Sequence, residues 1–164
     1  MKISYPLHQV LQVKQKRVEE AEKVLRQKLE LLEQEKEKLR QREAERDKVL
    51  QHQKDKLTQL RLELDRGTTV PKIQQMKAYL KVVQEKLKVE EKKVTDQKVQ
   101  VENAQKNVDA AREELKNKKL EVDKLEMHKK DWLREIQKEM EIIEEREMDE
   151  VGTVIYLMRE RSSA

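Results

Sequence analysis

With 164 residues, 44% of them charged, 2% aromatic, and no Phe or Cys, the chain is too polar to fill the bulky interior of an ordinary domain of its length. A mean hydropathy of −1.07 would suit disorder, but Pro, Gly and Ser are scarce and strong helix formers dominate, so the reading is long helix. The net charge of +4 from 38 basic and 34 acidic residues is too small a surplus to argue for nucleic acid.

Without cysteine there are no disulfides and no thiolate metal sites. No apolar run reaches the ~20 residues of a membrane span, and MKISYPLHQV has no signal-peptide core. The expectation is a soluble cytoplasmic protein with no membrane insertion.

The chain order is set by two prolines and two glycines. Pro is tolerated in the first turn of a helix and Gly is favoured just past the last. Pro6 then opens a first helix over about 6–65, which Gly67 closes. The segment LDRGTTVPKI holds the turn, about 66–70, with Thr68 and Thr69 as possible caps. Pro71 opens a second helix over about 71–160. Gly152 either ends that helix, leaving VIYLMRERSSA as a frayed tail, or only weakens it.

The predicted lengths are ~90 Å and ~120–135 Å. Helices so long and polar must shield a narrow apolar stripe against a partner. In the first helix Leu11, Val18, Leu25, Leu32 and Leu39 recur every seventh residue, Arg46 and Gln53 break the row, and Leu60 restores it. A companion row passes through Leu29, Leu50, Leu57 and Leu64. In the second, Ile73, Leu80, Leu87, Val94, Val101, Val108, Leu115 and Val122 follow at steps of seven. Lys129 interrupts, then Ile136 and Ile143 resume. Met76, Val83, Glu90, Gln97, Ala104, Ala111, Lys118, Leu125 and Trp132 form the second row of this coiled-coil seam.

A short turn makes the helices antiparallel. The fold class is therefore all-α, with residues 1–164 forming one two-helix antiparallel coiled-coil hairpin. A turn centred near residue 70 makes facing residue numbers sum to about 140, setting Leu60 against Leu80 and Leu32 against Val108. A shift by one heptad would misplace the turn. Helix 2 then overhangs for about 25–30 residues past Leu7. The overhang carries Ile136, Met140, Ile143 and further apolar residues, with Trp132 at its base and an acidic middle, EMEIIEEREMDE.

No catalytic constellation is present. There is no glycine-rich phosphate loop and no cysteine nucleophile, and the serines sit at the ends. The carboxylates lie on helices with no concave pocket. His8 and His128 approach each other in the proposed register, but no H-x-x-x-H pair accompanies them, so no metal is assigned. The expectation is a non-enzymatic protein without cofactor.

The opening YPLHQVLQVKQKRVEEAEKVL, through Tyr5, Leu7, Val10, Leu11, Lys14, Arg17, Val18 and Ala21, resembles the start of the type III secretion stalk proteins of the FliJ and YscO group, the chlamydial YscO-like members above all. This resemblance implies a central stalk that binds the cytoplasmic ATPase hexamer and contacts the export gate and secretion chaperones, peripheral to the inner-membrane apparatus. It would place Lys14, Arg17 and Arg26 against acidic loops of the ring, with Leu7, Trp132, Ile136, Met140 and Ile143 in apolar contact. Tyr79, an aromatic outside both seam rows, is the candidate for the export gate. A mainly monomeric chain is expected, with weak dimerisation through the overhang. Two alternatives stand beside this: a structural coiled-coil tether that self-associates, and, less favoured, a nucleic-acid-binding coiled coil, against which Glu and Asp interleave with the basic residues.

Overall fold

The computed structural model describes residues 4–163. Among them are two helices, α1 (His8–Arg66, 59 residues) and α2 (Val70–Ser162, 93 residues), and no strand. The all-α two-helix hairpin is thus present, and its contacts fall into two units. One pairs the chain up to Ala21 with the chain from Leu115 onward; the other is Glu22–Glu114.

The Glu22–Glu114 unit contains the turn. α1 ends where the Gly67 N–H donates to the Leu64 carbonyl at 3.3 Å, and Gly67 has φ 79°, the left-handed conformation that a C-terminal glycine supplies at little cost. The Thr69 carbonyl accepts from the Ile73 N–H at 3.2 Å. Pro71 therefore lies in the first turn of α2, where a missing N–H costs nothing. A Cβ at residue 67 would meet nothing within 4 Å, so Gly67→Ala is a pure backbone test. It is expected to destabilise by about 1 kcal/mol, read as a fall of about 2–4 °C in thermal midpoint.

The core of this unit is the predicted seam. Leu32, Leu60, Val83, Leu87, Val94, Val108 and Ala111 are buried, and Val108 has no exposed surface. One buried residue is charged: Glu90, 8% exposed, shares its Oε1 with Lys93 Nζ at 3.3 Å. Its other oxygen, Oε2, has no partner among the described residues. Gln97, the next residue in that row, donates from Nε2 to the Glu35 carbonyl at 2.9 Å and to the Glu35 carboxylate at 2.5 Å. That amide, aided by Lys38 and opposed by partial burial, holds the Glu35 carboxyl below its ordinary value.

The pairing register differs from the expected one. Facing numbers sum to 131 for His52 with Tyr79, 132 for Glu35 with Gln97 and 135 for Glu63 with Lys72. They lie close to one heptad below the expected 140. A heptad pattern repeats every seven residues, so it defines register only to a multiple of seven, and the turn selects among the solutions. The non-helical turn is residues 67–69, centred on 68, below the residue 70 on which the sum of 140 rested, and the lower solution follows.

In the other unit, α1 is entered through a turn. The His8 N–H donates to the Tyr5 carbonyl at 3.1 Å and the Leu11 N–H to the Leu7 carbonyl at 2.9 Å, so Pro6 precedes the helix. Tyr5, Leu11 and Ala21 are buried. α2 passes through Gly152 without a break and stays helical to Ser162. Gly152 therefore does not end the helix, and residues 153–162 are not a frayed tail. No helix of the described residues is long and apolar enough to cross a membrane.

Candidate functional site

The expected partner-binding residues divide between the two units. Leu7, Lys14, Arg17, Trp132, Ile136, Met140 and Ile143 belong to the unit formed by the chain's two ends, while Arg26 and Tyr79 belong to Glu22–Glu114.

In the first group the organising residue is Tyr5. Its ring is 5% exposed and meets Trp132 edge-on, with ring centroids 5.6 Å apart at 63°, an arrangement that aromatic quadrupoles favour. The Tyr5 hydroxyl is hydrogen-bonded to Nδ1 of His128, and their rings lie 5.7 Å apart. Sequence reasoning placed Tyr5 in the resemblance but not in the site, and it considered His128 only beside His8 as a metal clip. The structure engages the two histidines separately: His128 with Tyr5, and His8 with Gln12 at 3.2 Å. Among the described residues no group of three metal-ligating side chains occurs.

About two turns further along, Lys14 Nζ donates to Glu121 Oε2 at 3.0 Å. The Lys14 hydrogen bond, then the charges of Lys14, Lys118 and Arg17, hold the Glu121 carboxyl below its ordinary value against partial desolvation. Lys14 is therefore already paired within the chain, whereas Arg17 is exposed. Leu7 is 38% exposed beside the Tyr5 turn.

Beyond Trp132 and Ile136, both half-buried, α2 loses its cover. Every residue from 137 to 163 is exposed. Met140 (44%), Ile143 (53%), Val154 (52%) and Leu157 (50%) all present large apolar surface to water. Soluble chains seldom leave so much contiguous apolar area uncovered unless something docks there.

In the other unit Arg26 is exposed on α1. Tyr79 is 44% exposed and held from α1. Its hydroxyl bonds to His52 Nε2 at 2.7 Å, the two rings cross at 86°, and Lys56 Nζ sits 5.5 Å from its centroid. With Lys56, Gln59, Gln75 and Met76 it lines a shallow cleft of about 310 Å³. This is a second surface with an aromatic floor and a basic edge.

Comparison with known proteins gives one family and one solved structure. The family model described as YscO-like protein matches residues 2–162. A Chlamydia trachomatis protein, described as a proposed YscO homolog, is 46% identical over 98% of this chain and 99% of its own, with a TM-score of 0.93. No curated protein matches.

Proposed function

Because this chain belongs to the YscO-like family, which is associated with type III secretion, we propose that it is the non-enzymatic stalk of a type III secretion apparatus. In this reading it binds the cytoplasmic ATPase hexamer through the open end of the hairpin, where Tyr5 packs against Trp132. The observation that carries the proposal is the exposed apolar stretch of α2 beyond Ile136, next to the Tyr5–Trp132 contact. Leu7, Trp132, Ile136, Met140 and Ile143 supply the apolar contact. Arg17 and Lys14 supply positive charge toward acidic loops of the ring, with Arg26 a candidate by charge alone.

Tyr79 and its cleft are the proposed contact for the export gate, and secretion chaperones complete the partner set. Treating residues 1–164 as one hairpin domain, acting in the cytoplasm beside the inner-membrane apparatus, is part of the same proposal.

Co-sedimentation with the assembled secretion ATPase tests it. The unaltered chain is expected to sediment with the hexamer. Ile136→Asp with Ile143→Asp is expected to weaken binding by at least ~30-fold, as loss of an apolar hot spot does. Absence of binding by the unaltered chain overturns the reading. A mass that doubles with concentration by light scattering, and falls in the same variant, would favour the self-associating tether instead.

A further inference from the structure

Past Ile136 the two heptad rows of α2 turn polar: one continues as Ile143, Glu150 and Leu157, the other as Glu139, Arg146, Thr153 and Glu160. The apolar stripe leaves them. Its members are Ile136, Met140, Ile143, Val151, Val154 and Met158, and with Glu147 included they follow at steps of 4, 3, 4, 4, 3 and 4. That is an 11-residue repeat, which stays on one side of a straight helix where a strict heptad drifts around it. At ~100° per residue all these side chains fall within ~80° of one another. Ile136 is half-buried and the rest of the stripe is exposed. Glu147 is its one charge and stands at its centre.

The step pattern reads the same in both directions, so the stripe fits a second copy of itself. With two α2 stretches antiparallel, Ile136 meets Met158, Met140 meets Val154 and Ile143 meets Val151 of the copy. Arg146 and Glu150 share one flank of the stripe, and this two-fold pairing sets each beside the other's counterpart in the copy. In a parallel pair those flanks lie on opposite sides and never adjoin. The heptad rows give a poorer match: placing Arg146 against Glu150 within the seam sets Ile143 on Thr153 and Leu157 on Glu139. What opposes the better fit is its middle layer, where Glu147 meets Glu147.

We infer that the free stretch of α2 is a self-complementary face that Glu147 keeps single. Two carboxylates on the dyad hold apart copies whose other layers are apolar. The stripe spans ~33 Å, about three heptads and so near the shortest length from which a coiled coil is recognised. In so short a seam one layer of like charge decides between pairing and none.

Self-pairing of this face is independent of which protein the stalk meets, and its test needs no secretion ATPase. At neutral pH, where carboxylates are ionised, the unaltered chain is expected to keep the mass of one chain across a concentration series in sedimentation equilibrium. Glu147→Leu is expected to reach a two-chain mass, associating at least ~10-fold more tightly than the unaltered chain. The Glu147→Lys chain is expected to stay single alone and to pair when mixed with the unaltered chain, since the middle layer then joins opposite charges. The chain has no cysteine, so Met140→Cys and Val154→Cys, each introduced into the Glu147→Leu chain, report orientation. The two are expected to cross-link with each other and not each with itself. A single-chain mass for Glu147→Leu overturns the inference, as does an unaltered chain that already pairs. So does a Glu147→Lys chain that pairs with itself as readily as with the unaltered one, or cross-linking of like with like.

Discussion

Val108→Asp is expected to lower the thermal midpoint by about 6–20 °C, whereas Ile143→Asp leaves it within about 2 °C of the unaltered chain. Both replace a β-branched residue of the same heptad row with the same carboxylate, so the contrast isolates what covers each position. Val108 has no exposed surface in the Glu22–Glu114 unit. An Asp there either ionises without a partner or protonates with its hydrogen bonds unmade, and either course costs about 3–5 kcal/mol. Ile143 is 53% exposed, so its replacement removes little buried area and leaves the new charge in water. Val108→Thr separates volume from polarity: it keeps the shape, adds one hydroxyl, and is expected to cost about 1–2 kcal/mol. A chain in which Ile143→Asp is as damaging as Val108→Asp would have the α2 extension covered in solution, and the docking face would no longer be free.

The same contrast marks how far the sequence could be read. Residues at steps of seven, such as Leu32, Leu60, Leu87, Val94 and Val108, are the buried ones, because an apolar stripe on so charged a helix has only one use. The row through Arg46 and Gln53 remains half-buried despite its polarity, since position on the helix, not residue type, decides what faces the partner. Register was less legible. A repeating pattern fits itself at every seventh residue, and choosing among the fits required the centre of the turn, which lies at residue 68 and not at the 70 on which the sum of 140 rested. The Glu35–Gln97 contact, which pins that choice, joins two polar residues that resemble any others on a solvated face.

At the candidate site the apolar run after Trp132 was visible because nothing on α1 remains to cover it. The burial of Tyr5 was not visible, because it depends on a turn ahead of the helix bringing the ring onto Trp132 and His128. Hydroxyl-to-imidazole pairs leave no spacing signature when 123 positions separate the partners. Tyr79 was noticed as an aromatic off the seam, while its support by His52 and Lys56 came only with the register.

Glu90→Leu is expected to stabilise the chain by about 1–3 kcal/mol, raising the thermal midpoint by roughly 2–12 °C. Glu90 occupies a seam position between Val83 and Gln97 and is only 8% exposed. Its Oε2 lacks a hydrogen-bond partner among the described residues, and a buried acceptor left unmade costs about 1–3 kcal/mol. Leu at that position removes the cost and adds buried apolar area, against the loss of a contact to Lys93, which is 45% exposed and contributes under about 1 kcal/mol. Glu90→Gln keeps the shape, removes the charge, and is expected to fall between the two, so Leu, Gln and Glu should rank in that order of stability by chemical denaturation. A buried charge kept at such a cost is a known means of holding one register among several. It stands seven residues from Gln97, the residue whose bonds to Glu35 pin the pairing in this unit. If Glu90→Leu instead destabilises the chain, Oε2 is satisfied in solution by a group on α1, and the seam at this level is an ion-paired layer, not a strained one.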